Sequence, residues 1–215
     1  MTYADFSAAV LEYGRLYAAG MKKDANRLLD AAASSLEALP PDERDAILDT
    51  FVPALCDGEA YGFLFHRGDG EIPFRLKDPI IQWLEPRCVC GRMPHLRWCW
   101  QIFRNDFKYA DDAYSCLQAA FRSPACDDKT RLMMFEFNIR ALEYGAHELP
   151  VGLLISREEF DETVAECGEI LTRTAVPAPL EGRYRDVVRT YRQYYGEAGG
   201  AGAAPSGIPE AKEGT

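Results

Sequence analysis

The feature that most constrains the fold of this chain is the spacing of its apolar residues, which recur every three or four positions along the sequence. Between residues 3 and 19, for example, this spacing is followed by Phe6, Val10, Tyr13 and Tyr17, whose side chains then lie on one face of an α-helix. Similar stripes continue to residue 195. They predict about eight or nine helices of ordinary length.

Helix start and stop signals support this pattern and add detail to it. Pro41 opens one predicted helix, in which Pro53 is expected to produce a kink or an end. Asp127 is a suitable N-cap, and Ser156 with Glu159 forms the pattern of a capping box. The sequence therefore predicts an all-α fold, either an irregular bundle or a short superhelix of antiparallel helical hairpins.

Two segments depart from the helical pattern. Residues 58–79 are punctuated by glycine and proline, so we expect a small hairpin or loop insert near residues 62–75. Residues 196–215 consist largely of Gly, Ala, Pro and Glu, a composition that predicts a disordered tail. The remainder, residues 1–195, is predicted to form a single helical domain.

Net charge limits the classes of partner. The formal charge is −10 over 215 residues, and such a surface repels phosphate backbones and anionic lipid. Nucleic acid and membrane are therefore not expected as partners, whereas another protein with a basic surface is. The N-terminal residues lack the pattern of a secretory signal, and the seven cysteines are scattered and odd in number. Both observations favour a cytoplasmic protein with reduced thiols.

One short segment contains the residue types of a metal site. In "RCVCGRMPHLRWCW", Cys88 and Cys90 precede a predicted helix that begins near Pro94, and His95 and Cys99 lie one turn apart on that helix. These four residues are an alternative structural zinc site. The C-x-C spacing departs from the usual C-x-x-C, and the flanking tryptophans indicate instead a corner of an aromatic core. A redox pair formed by Cys88 and Cys90 is a third interpretation.

A second segment suggests acid–base chemistry. Glu143 and His147 are four residues apart and Glu148 follows, so one helix end gathers an imidazole and two carboxylates. These three residues are the alternative catalytic site, although the segment does not match H-E-x-x-H. Neither a phosphate-binding glycine motif nor G-x-S-x-G occurs in the chain.

The leading functional expectation is a non-enzymatic protein-binding protein, in one version an immunity-type inhibitor that neutralises a basic partner. No cofactor is expected apart from the alternative zinc. Aromatic side chains are the candidate interface anchors, because large rings contribute much of the binding energy at protein interfaces. The candidates are Trp98, Trp100, Tyr109, Tyr191 and Tyr194.

Overall fold

The computed structural model describes residues 1–65, 71–149 and 151–196. Over these residues it contains helices and no strands, which confirms the all-α prediction. The α-helices are α1 (Tyr3–Ala18), α2 (Lys22–Glu37), α3 (Pro41–Asp57), α4 (Phe74–Val89), α5 (His95–Phe103), α6 (Ala110–Arg122), α7 (Asp128–Gly145), α8 (Arg157–Arg173) and α9 (Ala178–Tyr194), with a 3-10 turn at Gly62–Phe65.

The chain divides into two compact units, residues 1–130 and residues 131–215. The boundary falls in the first turn of α7. The prediction of one domain over residues 1–195 stays a prediction.

In the first unit, α1 packs on α2 and α3, and the apolar stripe of α1 is buried as its spacing predicts. Phe6 and Val10 are fully buried, and the Phe6 ring meets Phe51 of α3 edge-on at 5.0 Å between centroids. Phe51 also contacts the ring of Tyr61 at 4.9 Å. These ring contacts join α1, α3 and the segment that follows α3 in one aromatic core.

Proline is tolerated inside two helices of this unit. Pro53 is expected to kink or end its helix. It does not end α3, because that helix continues to Asp57. Helix α4 contains Pro79 and Pro86 and begins at Phe74, inside the segment 58–79 that its glycines and prolines set apart from the helical pattern. An internal proline costs about 3 kcal/mol, whereas each buried Leu, Ile or Phe contributes about 1.5–3 kcal/mol. Four large apolar side chains of α4 are buried, which offsets the prolines: Leu76, Ile80, Trp83 and Leu84.

The predicted insert near residues 62–75 is described only at its ends. Its first part is the 3-10 turn and its last two residues are the start of α4. Residues 66–70, where the hairpin would turn, lie outside the described residues, as does the predicted tail from residue 197 onward.

The second unit contains most of α7 together with α8 and α9. Ser156 caps α8, and the capping box with Glu159 is formed as predicted. The rings of Phe160 and Tyr191 stack at 4.7 Å between centroids with only 7° between their planes. The Tyr191 hydroxyl donates a hydrogen bond of 2.9 Å to the carbonyl of Leu142, so α9 is fixed to both preceding helices.

Within the described part of the chain, no helix has both the length and the apolar composition needed to cross a bilayer.

Candidate functional site

Three consecutive helices of the first unit bring three cysteines together. Cys88 lies in the last turn of α4, Cys99 in α5 and Cys116 in α6, and their Sγ atoms all lie within 4.8 Å of one another. Helix α5 packs on both α4 and α6, which brings the cysteines of the three helices together. Cys99 is buried, and Cys88 and Cys116 are half-buried. We call these three residues the thiol cluster.

The thiol cluster lines a cavity of about 490 Å³. Its wall is mainly apolar, with a few polar side chains on the same helices as the cysteines. Glu85 lies one turn before Cys88 on α4, and Asp112 lies one turn before Cys116 on α6. The cavity is also lined by Ile81, Val89, Leu96, Tyr109, Ser115 and Ala119. A largely apolar pocket with a few convergent polar groups is the usual form of a small-ligand site.

The three thiols do not titrate independently. Hydrogen bonds from Cys88 and Cys99 lower the pKa of Cys116, because they favour its thiolate. The same contacts with Cys116 raise the pKa of Cys88 and of Cys99. A metal ion held by these three sulfurs would displace the protons that they carry, because the thiolate is the form that coordinates a metal.

The four residues of the sequence-predicted zinc site are not gathered as a set. Cys88 and Cys99 belong to the thiol cluster, but Cys90 is exposed at the C-cap of α4. The His95 ring packs against Trp83 at 5.4 Å and Trp98 at 5.1 Å between centroids, and burial beside Arg87 lowers its pKa. Among the described residues, the cluster of potential metal-ligand atoms is Cys88, Cys99 and Cys116.

The residues of the predicted catalytic alternative lie at the surface of the second unit. The His147 imidazole and the Glu148 carboxylate are 3.0 Å apart, with side chains 70% and 52% exposed. Glu143 instead forms an ion pair of 2.7 Å with Arg183 on α9. A general base needs an orienting partner and a substrate position within hydrogen-bond reach. Glu143 does not orient the imidazole here, so this geometry adds nothing in favour of catalysis.

Most of the predicted aromatic anchors lie in the core. Trp98, Trp100 and Tyr191 are 5%, 8% and 0% exposed, so their rings are not available to a partner in this conformation. Tyr109 is half-buried and lines the cavity. Tyr194 is 48% exposed and is the most accessible ring of the five.

The second unit also presents an acidic helix face. Glu158, Glu162 and Glu169 are exposed on α8, and at 100° per residue they lie within about 40° of one another around the helix axis. The ion pair of this helix joins Arg157 to Asp161, and within the described residues none of the three glutamates is ion-paired. We call these three residues the acidic face of α8.

Tyr194 lies close to the start of that helix. Its ring is 5.7 Å from the ring of Tyr195, and Arg157 lies over the Tyr195 ring at 4.8 Å. An exposed aromatic ring therefore accompanies the N-terminal end of α8.

Comparisons with known proteins give no further guide, since no family model, no curated protein and no solved structure matches this chain. The candidate sites therefore depend on their own chemistry.

Proposed function

We propose that the protein acts by binding another protein that has a basic surface. The observation that carries this proposal is the acidic face of α8, where Glu158, Glu162 and Glu169 expose negative charge over three helical turns without an ion-pair partner among the described residues. Complementary charge speeds the encounter of two proteins and sets which partners are tolerated. An immunity-type inhibitor of a basic protein is one concrete form of this function.

The whole chain favours the same class of partner. A net charge of −10 disfavours association with nucleic acid and anionic lipid, whereas it attracts a basic protein before any specific contact forms. The exposed Tyr194 ring near the start of α8 offers apolar contact area that charge alone does not supply. A specific interface usually has a polar rim around buried aromatic residues. In this proposal the glutamates of α8 form the rim and the Tyr194 ring is the aromatic anchor.

Affinity capture from extracts of the source cell tests this proposal. The bait is the full chain, and capture is repeated at about 0.05 M and about 0.5 M salt, because screening weakens contacts between exposed charges. We expect a basic protein to be retained at low salt and lost at high salt. The triple variant Glu158→Lys, Glu162→Lys and Glu169→Lys should not retain it.

A matched control separates the acidic face of α8 from bulk charge. Glu37→Lys, Glu59→Lys and Asp78→Lys reverse three exposed acids elsewhere and change the net charge by the same amount. We expect this control to capture the partner nearly as well as the natural chain does. Equal loss in both triple variants, or capture indifferent to salt, would contradict the proposal.

A further inference from the structure

We propose that the thiol cluster is a binding site for one thiophilic metal ion, with Zn²⁺ as its reference occupant. The site consists of Cys88, Cys99 and Cys116, each supplied by a different helix, and it opens onto the cavity of about 490 Å³. It does not depend on the proposed partner, because the acidic face of α8 lies in the other unit.

The geometry of the sulfurs fits such an ion. Zn–S bonds of about 2.3 Å in a tetrahedral site place neighbouring sulfurs about 3.8 Å apart. The three Sγ atoms already lie within 4.8 Å of one another, so closing onto one ion requires changes of about 1 Å or less. Rotation about the Cα–Cβ bonds of the two half-buried cysteines supplies such changes without moving a helix.

Convergence from three helices distinguishes this cluster from ordinary buried cysteines. Buried cysteine usually acts as a small apolar side chain that contacts carbon atoms. Cys167 is an example, because it lies in the α8 stripe together with Phe160 and Ile170. In the thiol cluster, by contrast, three of the seven cysteines face each other beside an open space. Soft thiolate ligands of this kind select zinc or copper(I) over magnesium and calcium.

The cavity beside the thiol cluster offers space for a fourth ligand. Three protein ligands with one open position form the arrangement in which zinc keeps a water molecule or accepts an external ligand. Glu85 and Asp112, each one turn from a cluster cysteine, line the same cavity, and carboxylates beside a metal-bound water are typical acceptors of its hydrogen bonds. On binding, the protons still held by the cluster pass to solvent as the sulfurs become thiolates, and no electron is transferred.

Metal titration of the untagged, fully reduced full chain tests this site. Zn²⁺ is added in competition with a chromophoric chelator, and Co²⁺ is used separately as a spectroscopic probe. We expect one Zn²⁺ per chain and, with Co²⁺, sulfur-to-cobalt charge-transfer absorption that requires thiolate ligands. Absence of stoichiometric Zn²⁺ binding by the reduced chain would overturn the proposal.

Serine variants identify the ligands. Cys116→Ser and Cys88→Ser each remove one sulfur, and we expect each to weaken Zn²⁺ binding by more than the about 10–100-fold typical for loss of an outer-shell partner. If one of the two variants fails to fold, the other still tests the ligand assignment. The Co²⁺ spectrum of the natural chain tests thiolate ligation without any variant. Circular dichroism checks that each variant retains its helices.

Two control variants test whether Zn²⁺ binding depends on the thiol cluster or on other cysteines. Cys126→Ser removes a half-buried thiol outside the cluster, and Cys90→Ser removes the neighbouring thiol that sequence spacing suggested as a ligand. Both should bind Zn²⁺ as the natural chain does. The proposal would be refuted if Cys90→Ser lost Zn²⁺ binding while Cys116→Ser retained it. That result would favour the ligand set predicted from sequence spacing instead.

Discussion

Asp57, the last residue of α3, shows how much a single side chain can organise in this protein. Its carboxylate accepts hydrogen bonds from Arg97 at 2.6 Å, Trp98 Nε1 at 2.7 Å and Lys129 at 2.7 Å. The Arg97 side chain is only 5% exposed, and its other acidic neighbour is Asp127 at 3.3 Å. A buried guanidinium is stable only while carboxylates face it, so Asp57 fixes α5 and the start of α7 to α3.

Replacing this carboxylate should destabilise the fold. Asp57→Ala leaves Arg97 buried with one remaining partner, and breaking such a pair costs about 3–5 kcal/mol, here toward about 3 because Asp57 is partly exposed. The measurement is urea unfolding followed by circular dichroism. Glu12→Ala breaks the exposed Arg15–Glu12 pair as a control and should cost less than about 1 kcal/mol. Similar losses in both variants would argue against a special role for Asp57.

The same residue predicts a dependence of stability on pH. Burial opposes ionisation of Asp57, but hydrogen bonds from Arg97, Lys129 and Trp98 outweigh it and lower its pKa to about 2. In the unfolded chain an aspartate has a pKa of about 3.9. The ionised group therefore stabilises the fold fully above that value, and its contribution is lost as pH falls toward 2.

Comparison of the natural chain with Asp57→Asn isolates this contribution. The difference in their free energies of unfolding should be constant from neutral pH down to about pH 4 and should shrink between about pH 4 and pH 2. Urea unfolding at a series of pH values measures it. A difference that stays constant down to pH 2 would contradict the assigned cause.

At the level of helices, capping accounts for where several elements begin. The side chain of Ser156 accepts from the backbone N–H of Glu159 at 3.2 Å, and Glu159 accepts from the backbone N–H of Ser156 at 2.7 Å. Asp127, predicted as an N-cap, accepts from the backbone N–H of Thr130 at 2.8 Å ahead of α7. These contacts satisfy N–H groups that have no partner within their helix.

Removal of one cap should destabilise the second unit. Ser156→Ala loses the acceptor for the Glu159 N–H and should lower stability by about 1 kcal/mol, whereas Ser156→Asp keeps an acceptor and should cost little. Thermal unfolding followed by circular dichroism measures both. Equal losses in the two variants would show that the side chain acts through something other than capping.

The fold was more predictable from the sequence than the candidate site was. Apolar spacing and caps are local signals, so α1 and α8 were predicted closely, and errors concentrated where prolines entered a helix, as in α4. The thiol cluster required tertiary information. Cys116 has no second Cys or His beside it that would mark it as one of a pair of metal ligands, and the packing of α6 on α5 is what brings its sulfur to that of Cys99.

Over the whole molecule, the seven cysteines differ in how deeply they are buried. Cys56, Cys99 and Cys167 are buried, Cys90 is exposed, and Cys88, Cys116 and Cys126 are intermediate. Burial raises the pKa of Cys56, and it raises the pKa of Cys167 to about 12. Because the thiolate is the reactive form, both depth and pKa protect these two residues from alkylation while the chain is folded.

Pulsed alkylation with iodoacetamide, read residue by residue by mass spectrometry, measures this protection across the fold. At neutral pH without urea, the exposed Cys90 should be labelled far faster than the buried Cys56 and Cys167. Cys56 and Cys167 should resist labelling until urea unfolds the chain, because only unfolding returns their thiols to water and to an ordinary pKa of about 8.5. Cys56 lies in the first unit and Cys167 in the second, so each reports on its own part of the protein. Rapid labelling of either one in the folded chain would contradict the packing described around it.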